Sequence, residues 1–437
     1  MKAGSSNKFF YYTSTNISSF NIRFNFFFKE DLKLEAMKEA ANKAIKSYPE
    51  FAVRPCIKDN RIEFVKNEDE VRFFPFDGKY HNFGSDEVGG YLFFFEYRDK
   101  ELVFSYYHGM ADTDGAMNYI RAVFCEYAQS TGYQMSDDEW KELKDSIRSK
   151  ECKCTDEDDM YTPYEKYMDN TLTPPYAYPY TPAYKITGGM FDSSYEDRHI
   201  YSLTLSTKAF KDKTHEYGVS FIPLLADIVT TSIFENMDVE DNDVVVAMVP
   251  VNLRSLFGSK TLVNFSDGVF LPLVKEDLKL GIEERCKKFK EDLLKQKTKE
   301  NFANILYNKV QDVRKMEVSG EDIYEIAKRR STPAPVDGPK SPVTYALTSP
   351  GRLSISTGID RMFTDIQCTP FFATFGIVIC TFEDKMRLQI VCRSDDDTFP
   401  KGIYSNFIKM GFDAKLTDDG LRHGDRMMLD KLTVLRG

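Results

Sequence analysis

Two distant segments of this chain share one order of elements: a strand, a tight charged turn, a second strand, a polar turn and a helix. They cover residues 90–127 and 374–411, and aligning their charged turns places His108 over Arg393. The identities between the segments are few, so the pattern fits either an internal duplication or two independent uses of a common unit. A duplication predicts two similar lobes, of which only the first carries a histidine after its second strand.

The length of the chain and one irregular segment indicate where such lobes would divide. A chain of 437 residues corresponds to two or three domains at about 150 residues each. Residues 151–189 are rich in Pro, Tyr and Asp and show no sustained periodicity, which is typical of a crossover or a linker. We therefore expect an N-terminal lobe over residues 1–185 and a C-terminal lobe over residues 186–437.

Helical and strand patterns alternate within both parts of the chain. Apolar residues at helical spacing predict helices after Asp31, over 206–218, after Ser220 and over 278–330. Alternating or continuous apolar runs predict strands at 20–26, 90–107, 199–205, 243–251, 342–347, 353–357 and 371–394. This mixture predicts an α/β fold of the α+β sandwich type.

The charge of the chain argues against several classes of partner. It has 58 Lys and Arg against 68 Asp and Glu, a net charge of −10, and no block of basic residues, so nucleic acids and anionic membranes are poor electrostatic partners. No window approaches ~18 consecutive apolar residues, and residues 1–29 lack the continuous apolar region of a signal peptide. We therefore expect a cytoplasmic protein without a nucleic-acid or membrane partner.

Among the five histidines, His108 has the setting that catalysis needs. It ends an apolar strand and precedes a short turn, Gly109–Gly115, that opens a helix. A histidine there has a fixed backbone and an imidazole that can exchange a proton near neutral pH. Asp112 and Asp114 lie where the first N–H groups of the helix stabilise a carboxylate. Spacing alone leaves open whether His108 is a general base or a structural residue beside a helix cap.

Other chemistries lack their sequence signatures. The chain has no GxSxG elbow, P-loop or GxGxxG motif, which argues against hydrolase, nucleoside-triphosphatase and dinucleotide-binding sites. Cys152 and Cys154 lie close together, but no second pair of Cys or His follows at zinc spacing, so we expect no metal site. The eight Cys are scattered through a long chain, a pattern that does not indicate disulfides.

The residues from His108 to Gly115 resemble the His-x-x-x-Asp-Gly motif of the CoA-dependent acyltransferase superfamily. Two further segments follow in the family's order. Pro250–Phe265 is similar to its Pro-x-Asn-Leu-Arg stretch and the Asn-Phe after it, and Thr348–Gly351 is similar to its Ser-Asn-x-Gly stretch. The superfamily includes chloramphenicol acetyltransferase, carnitine acyltransferases, condensation domains and microbial alcohol acetyltransferases, and the chain resembles the last group most.

The chain departs from the family pattern at three places. Thr113 stands where the motif has Gly, and Gly115 is the candidate to replace that glycine. Tyr107 stands where condensation domains carry a first histidine, which argues against that subfamily. The Asp-Phe-Gly-Trp-Gly motif of some relatives is absent, and residues 371–376 are the most similar stretch.

The resemblance implies two chloramphenicol-acetyltransferase-like lobes with a tunnel between them, which the donor and the acceptor enter from opposite sides. It implies acetyl-CoA or another acyl-CoA as the donor substrate, a hydroxyl or amine acceptor, no metal, and His108 as the general base. Asp112 would then order the catalytic turn by pairing with Arg254, and Thr348 or Ser349 would stabilise the oxyanion.

Two alternatives to an acyl-CoA-dependent enzyme stay open. The acyl donor could be the phosphopantetheine arm of an acyl carrier protein, as in condensation-type enzymes. The chain could also be a non-catalytic binding protein on the same fold, an interpretation to which Thr113 lends weight.

Overall fold

The computed structural model describes residues 3–13, 20–147, 156–171, 182–186, 197–331, 342–372 and 375–435. Its helices are α1 (Ser5–Thr13), α2 (Leu34–Ala44), α3 (Thr113–Thr131), α4 (Asp137–Ser146), α5 (Glu157–Tyr161), α6 (Pro163–Tyr167), α7 (Thr207–Glu216), α8 (Phe221–Asn236), α9 (Arg254–Phe257), α10 (Ile282–Gln296), α11 (Lys299–Val318), α12 (Ile323–Ser331), α13 (Thr357–Asp360) and α14 (Thr398–Lys409). Its strands are β1 (Asn21–Phe28), β2 (Val53–Lys58), β3 (Arg61–Lys66), β4 (Phe73–Pro75), β5 (Phe93–Arg98), β6 (Glu101–Tyr107), β7 (Asp197–Ser206), β8 (Val244–Asn252), β9 (Ser266–Val274), β10 (Tyr345–Arg352), β11 (Phe363–Pro370), β12 (Phe375–Phe382), β13 (Lys385–Cys392), β14 (Lys415–His423) and β15 (Thr433–Leu435).

The first sheet has the strand order β11-β1-β6-β5-β4, and every residue of its central strand β6 is buried. Alternation along β1 places Ile22, Phe24 and Phe26 in the apolar core, where the Phe26 ring lies 5.0 Å from Phe124 of α3. Helices α2 and α3 cover this face. The residue that follows β6 is therefore fixed at the end of a fully buried strand.

The second sheet has the order β14-β7-β13-β12-β10-β8-β9 and carries a separate apolar core. Helices α8, α10 and α14 pack on it, and the Tyr345 hydroxyl of β10 lies 2.9 Å from the Thr230 hydroxyl of α8. A third, small sheet has the order β15-β2-β3. The predicted α/β architecture with two sheet-based lobes is confirmed.

Segments from the second half of the chain pair with strands of the first half. Strand β11 pairs with β1, and the chain end returns as β15 beside β2. The buried Asp425 carboxylate accepts hydrogen bonds from Arg23 at 2.7 Å and from Asn21 at 2.9 Å. Between the two larger sheets lies a polar cavity of about 90 Å³. The predicted lobe boundary at 185/186 stays a prediction, since residues 172–181 and 187–196 lie outside the described residues, as does part of the predicted crossover.

Three local differences between the structure and the sequence predictions have clear physical reasons. The strand predicted at 353–357 is wrong: the alternating Leu-Ser-Ile-Ser pattern is β-like, but Ser356 caps α13 and Asp360 accepts the Ile355 N–H at 2.8 Å. Strand β11 was not predicted, because its residues mix buried polar and apolar side chains. Helix α1 was not predicted either, because its aromatic and polar residues lack helical periodicity.

None of the described helices is by itself long and apolar enough to cross a membrane. Helices α7 and α8 meet that criterion only when taken together, and they meet at an angle of 93°.

Candidate active site

His108 follows directly on β6 and is held by a strained neighbour. Its N–H donates a hydrogen bond to the Phe20 carbonyl at 2.6 Å, and Phe20 adopts a positive φ of 51° just before β1. A non-glycine residue in this conformation stores about 1–3 kcal/mol, which the surrounding structure must balance. Two adjacent strands of the first sheet therefore fix the backbone of His108.

The imidazole of His108 is oriented from its Nδ1 side. Nδ1 lies 3.0 Å from the Ala111 carbonyl oxygen, which can only accept a hydrogen bond, so Nδ1 carries the proton. The Asn264 amide nitrogen lies 3.3 Å from Nδ1 but donates to the His108 carbonyl at 2.8 Å. Within the described parts of the chain, Nε2 has no hydrogen-bond partner. The half-buried imidazole therefore presents an unprotonated Nε2 that can accept a proton.

The surroundings of His108 favour its neutral form. Burial lowers the pKa of His108 below its usual value of 6.5, and the Lys309 ammonium lowers it further, against opposing effects of the Ala111 carbonyl and Asp112. Lys309 is itself paired with Asp267 at 2.6 Å. A histidine with a lowered pKa is deprotonated at neutral pH, which is the state that a general base needs.

Asp112 is the N-cap of α3 and the centre of a dense set of hydrogen bonds. Its carboxylate accepts the Gly115 N–H at 3.1 Å and the Phe265 N–H at 3.0 Å. Arg254 binds both carboxylate oxygens, at 2.6 Å and 3.0 Å. Although burial favours the neutral acid, these donors keep the pKa of Asp112 below its usual value. The structure thus brings together the predicted pair of Asp112 and Arg254.

Arg254 also fixes the loop that packs against the turn from His108 to Gly115. Its Nε donates to the Thr261 carbonyl at 2.7 Å, and its Nη2 donates to the Val263 carbonyl at 3.0 Å. Asn252 accepts the Arg254 N–H at 2.9 Å. The guanidinium therefore joins the start of α3 to the loop that carries Asn264, which in turn contacts His108.

Gly115 allows the start of α3 to lie close to the loop that carries Asn264. A Cβ at position 115 would lie 1.9 Å from the Leu262 carbonyl oxygen, so only glycine fits there. Thr113 is not among the residues with positive φ, so its backbone conformation is open to any residue. The replacement of the motif glycine by Thr113 therefore leaves the turn intact.

The remaining predicted site residues lie apart from these contacts. Thr348 is half-buried and Ser349 is exposed on β10, and neither hydroxyl is hydrogen-bonded to His108 in the described structure. Asp114 is exposed, and its carboxylate accepts a hydrogen bond from the Asn252 amide. The structure therefore assembles His108, Asp112 and Arg254 and leaves the two hydroxyls unconnected to them.

An arginine orders the segment where the Asp-Phe-Gly-Trp-Gly motif is absent. The buried Arg198 at the start of β7 donates to the Phe372 carbonyl from Nε at 3.0 Å and from Nη2 at 2.9 Å. Phe371 donates its N–H to the Asn21 carbonyl at 3.1 Å. Phe371 and Phe372 are thus held by the starts of β1 and β7, one strand from each of the two larger sheets.

Sequence reasoning missed three residues beside the turn that starts at His108: Phe10, Asn264 and Lys309. Asn264 stands in the quoted Asn-Phe pair, so its motif was the available signal; Phe10 and Lys309 have none, because only the fold brings α1 and α11 to His108. No group of three or more His, Cys, Asp or Glu among the described residues is arranged to hold a metal ion.

No family model matches the chain, and a search of curated proteins finds no significant match. Solved structures do match. TRI101 from F. graminearum, in complex with coenzyme A and T-2 mycotoxin, has a TM-score of 0.60 at 10% identity, over 95% of this chain and 99% of that chain. TRI3 trichothecene 15-O-acetyltransferase from Fusarium sporotrichioides has a TM-score of 0.57 at 10% identity, over 93% of this chain and 94% of that chain.

The starter condensation domain of rhizomide synthetase RzmA is similar at a TM-score of 0.50 and 10% identity, over 93% of this chain and 94% of that chain. The three similarities extend over nearly the whole length of each chain. The chain therefore has the fold that CoA-dependent acyltransferases share with condensation domains, as the sequence resemblance predicted.

Proposed function

We propose that the protein is an acyltransferase that moves an acetyl or other acyl group from coenzyme A to a hydroxyl or amine acceptor, with His108 as the general base. The observation that carries this proposal is the hydrogen bond from Nδ1 of His108 to the Ala111 carbonyl, which leaves Nε2 as a free proton acceptor. The similar solved structures support it, since they include an O-acetyltransferase and a complex with coenzyme A.

In the proposed reaction, His108 moves one proton twice. Nε2 takes the proton from the acceptor as its oxygen or nitrogen attacks the thioester carbonyl carbon. The tetrahedral intermediate then expels the thiolate of coenzyme A, and the imidazolium returns the proton to that sulfur. The carbon–sulfur bond breaks, the new ester or amide bond forms, and the enzyme ends as it began.

Asp112 has a structural role in this mechanism. Its two oxygens are occupied by Arg254, Gly115 and Phe265, and the proton-bearing Nδ1 of His108 faces the Ala111 carbonyl instead. The hydrogen bonds of the carboxylate therefore go to groups other than the imidazole, as expected of a residue that shapes the turn. Thr348 and Ser349 are our proposed donors to the oxyanion, a role to be tested by replacing each with alanine.

The direct test measures free thiol released from acetyl-CoA and longer acyl-CoA donors with a panel of alcohols and amines. Replacement of His108 by Ala should lower turnover about 10²–10⁴-fold while leaving the fold intact, as expected for loss of one general base. His215, which lies on the surface helix α7, provides the matched control variant His215→Ala. Turnover within a few-fold of wild type in His108→Ala would remove this histidine from the mechanism.

The same assay separates the two alternatives. An acyl group presented on a carrier protein, offered in competition with acyl-CoA, should be the poorer donor if the proposal is right. Absence of transfer from either donor, with intact binding of coenzyme A, would favour a non-catalytic binding protein on this fold.

A further inference from the structure

Helix α1, which the sequence patterns did not predict, lies against the catalytic turn. The Asn7 amide donates to the carbonyl of Gly109, the residue after His108, at 2.6 Å, and this bond is buried. A Cβ on Gly109 would lie 3.0 Å from the Cβ of Phe10, so the helix and the turn are in close contact. Helix α1 is therefore part of the wall around His108.

The aromatic face of this wall is Phe10. Its ring centroid lies 5.2 Å from the imidazole centroid of His108, with the two planes inclined at 58°. Phe10 also packs edge-to-face on Phe20, at 5.2 Å. Ala111 and Asn264 occupy the Nδ1 side of the imidazole, and the Phe10 ring adds an apolar contact to the same imidazole.

Further contacts of α1 hold Phe10 in place. Lys8 forms an ion pair with Glu317 of α11 at 2.6 Å, and both side chains are largely buried. The Tyr11 ring is buried beside Tyr107 at 5.2 Å. A helix anchored at successive residues in this way presents the Phe10 ring in one orientation, which a specificity residue requires.

We propose that Phe10 is a specificity-determining residue of the reaction proposed above and selects acceptors whose hydroxyl or amine is attached to an apolar body. An acceptor group that binds at Nε2 of His108 would lie near the Phe10 ring, because that ring contacts the imidazole. Aromatic surface there stabilises an aryl or alkyl body by burial and ring contacts, and it offers no hydrogen bonds to the hydroxyls of a polyol. The inference rests on the proposed function for the identity of the acceptor, but its test is a binding measurement.

The test uses 2-phenylethanol as the apolar probe and glycerol as the polar one, with binding followed through the imidazole NMR signals of His108 in the full chain. Wild type should bind 2-phenylethanol in preference to glycerol. Phe10→Ala should weaken 2-phenylethanol binding about tenfold or more, and Phe10→Leu should recover most of that loss because it keeps apolar volume. Phe234→Ala is the matched control, because Phe234 is likewise a partly buried aromatic residue but lies on α8 against the core of the second sheet.

Steady-state kinetics add a second readout. If Phe10 selects the acceptor, Phe10→Ala should raise the KM for 2-phenylethanol and leave the KM for acetyl-CoA unchanged. Four outcomes would each overturn the proposal. They are equal binding of 2-phenylethanol by wild type and both Phe10 variants, equal affinity of wild type for glycerol and 2-phenylethanol, no binding of either by wild type, and a change confined to the KM for acetyl-CoA. Binding that follows Phe10 in a protein without acyl transfer would instead overturn the proposed function alone.

Discussion

Arg254 holds both carboxylate oxygens of Asp112, which lies 142 residues earlier in the chain, at 2.6 Å and 3.0 Å. Bidentate pairing between a guanidinium and a carboxylate is geometrically specific, and burial makes it costly to break. The pair joins the N-terminus of α3 to the loop before β9, so the position of the His108 turn depends on a contact between the two halves of the chain.

A double-mutant cycle tests this dependence. Asp112→Ala and Arg254→Ala should each cost about 3–5 kcal/mol of unfolding free energy and much of the activity, since each leaves a buried charge without its partner. The double variant should cost clearly less than the sum of the singles, because no uncompensated charge remains. Chemical denaturation and thiol-release assays on the four proteins measure both effects. Additive losses would show that the two residues act independently.

Asp114 is the control for this cycle. It lies two residues from Asp112 on the same turn but is exposed and bonded to the Asn252 amide. Asp114→Ala should cost no more than about 0.5–2 kcal/mol, with little loss of activity, as expected for a helix-terminal carboxylate. A larger effect on turnover than that of Asp112→Ala would reverse the roles assigned to the two carboxylates.

The sequence predicted the elements whose patterns are local. The hairpins of β5 with β6 and of β12 with β13 have clear apolar runs and charged turns, and α7 and α8 begin after Ser206 and Ser220, as their apolar spacing predicted. The pair of Asp112 and Arg254 was predicted from motif order in a resembling family. Periodicity and spacing carried no information about that contact.

What the sequence did not predict depends on tertiary contacts. Strand β11 becomes a strand by pairing with β1, and its own residues, with Asp365 and Gln367 among them, do not form an apolar pattern. Helix α1 is stabilised by packing of Tyr11 and by the Lys8–Glu317 ion pair rather than by helical periodicity. Phe10 reaches His108 only because of this packing, so no local pattern could have identified it.

The pH dependence of the reaction should report the environment of His108. Because burial lowers the pKa of the imidazole, its neutral form prevails to lower pH than in a free histidine. The value of kcat/KM should therefore rise with pH through an apparent pKa below 6.5 and be level at neutral pH. A pH series measured with saturating acyl-CoA checks this, and an acid limb centred at or above 6.5 would contradict the burial effect.

Lys309 should shift that acid limb. Its ammonium lowers the pKa of His108, so Lys309→Met should raise the pKa and move the limb to higher pH. The matched control is Lys315→Met on the same helix, because Lys315 is exposed and lies 3.7 Å from Asp312. An unchanged profile in Lys309→Met, or the same shift in both variants, would show that Lys309 does not act on the imidazole.

The last prediction concerns the glycine that replaces the one missing from the motif. Gly115→Ala would place a Cβ 1.9 Å from the Leu262 carbonyl oxygen, so α3 and the loop beneath it must separate. Overpacking of this kind costs about 1–3 kcal/mol, and here it also strains the hydrogen bonds that Asp112 accepts from the N–H groups of Gly115 and Phe265. Both the melting temperature and turnover should fall.

Thr113→Gly, which restores the residue of the family motif, is the informative counterpart. Position 113 has no positive φ and begins α3, so glycine there should only add flexibility to the unfolded chain and to the first helical turn. We expect a loss of about 0.5–1 kcal/mol and turnover close to wild type. Denaturation and thiol-release assays of both variants decide between the two positions. Higher turnover in Thr113→Gly would mean that the turn is strained at Thr113. A Gly115→Ala variant as stable as wild type would mean that Gly115 has not taken over the role of the motif glycine.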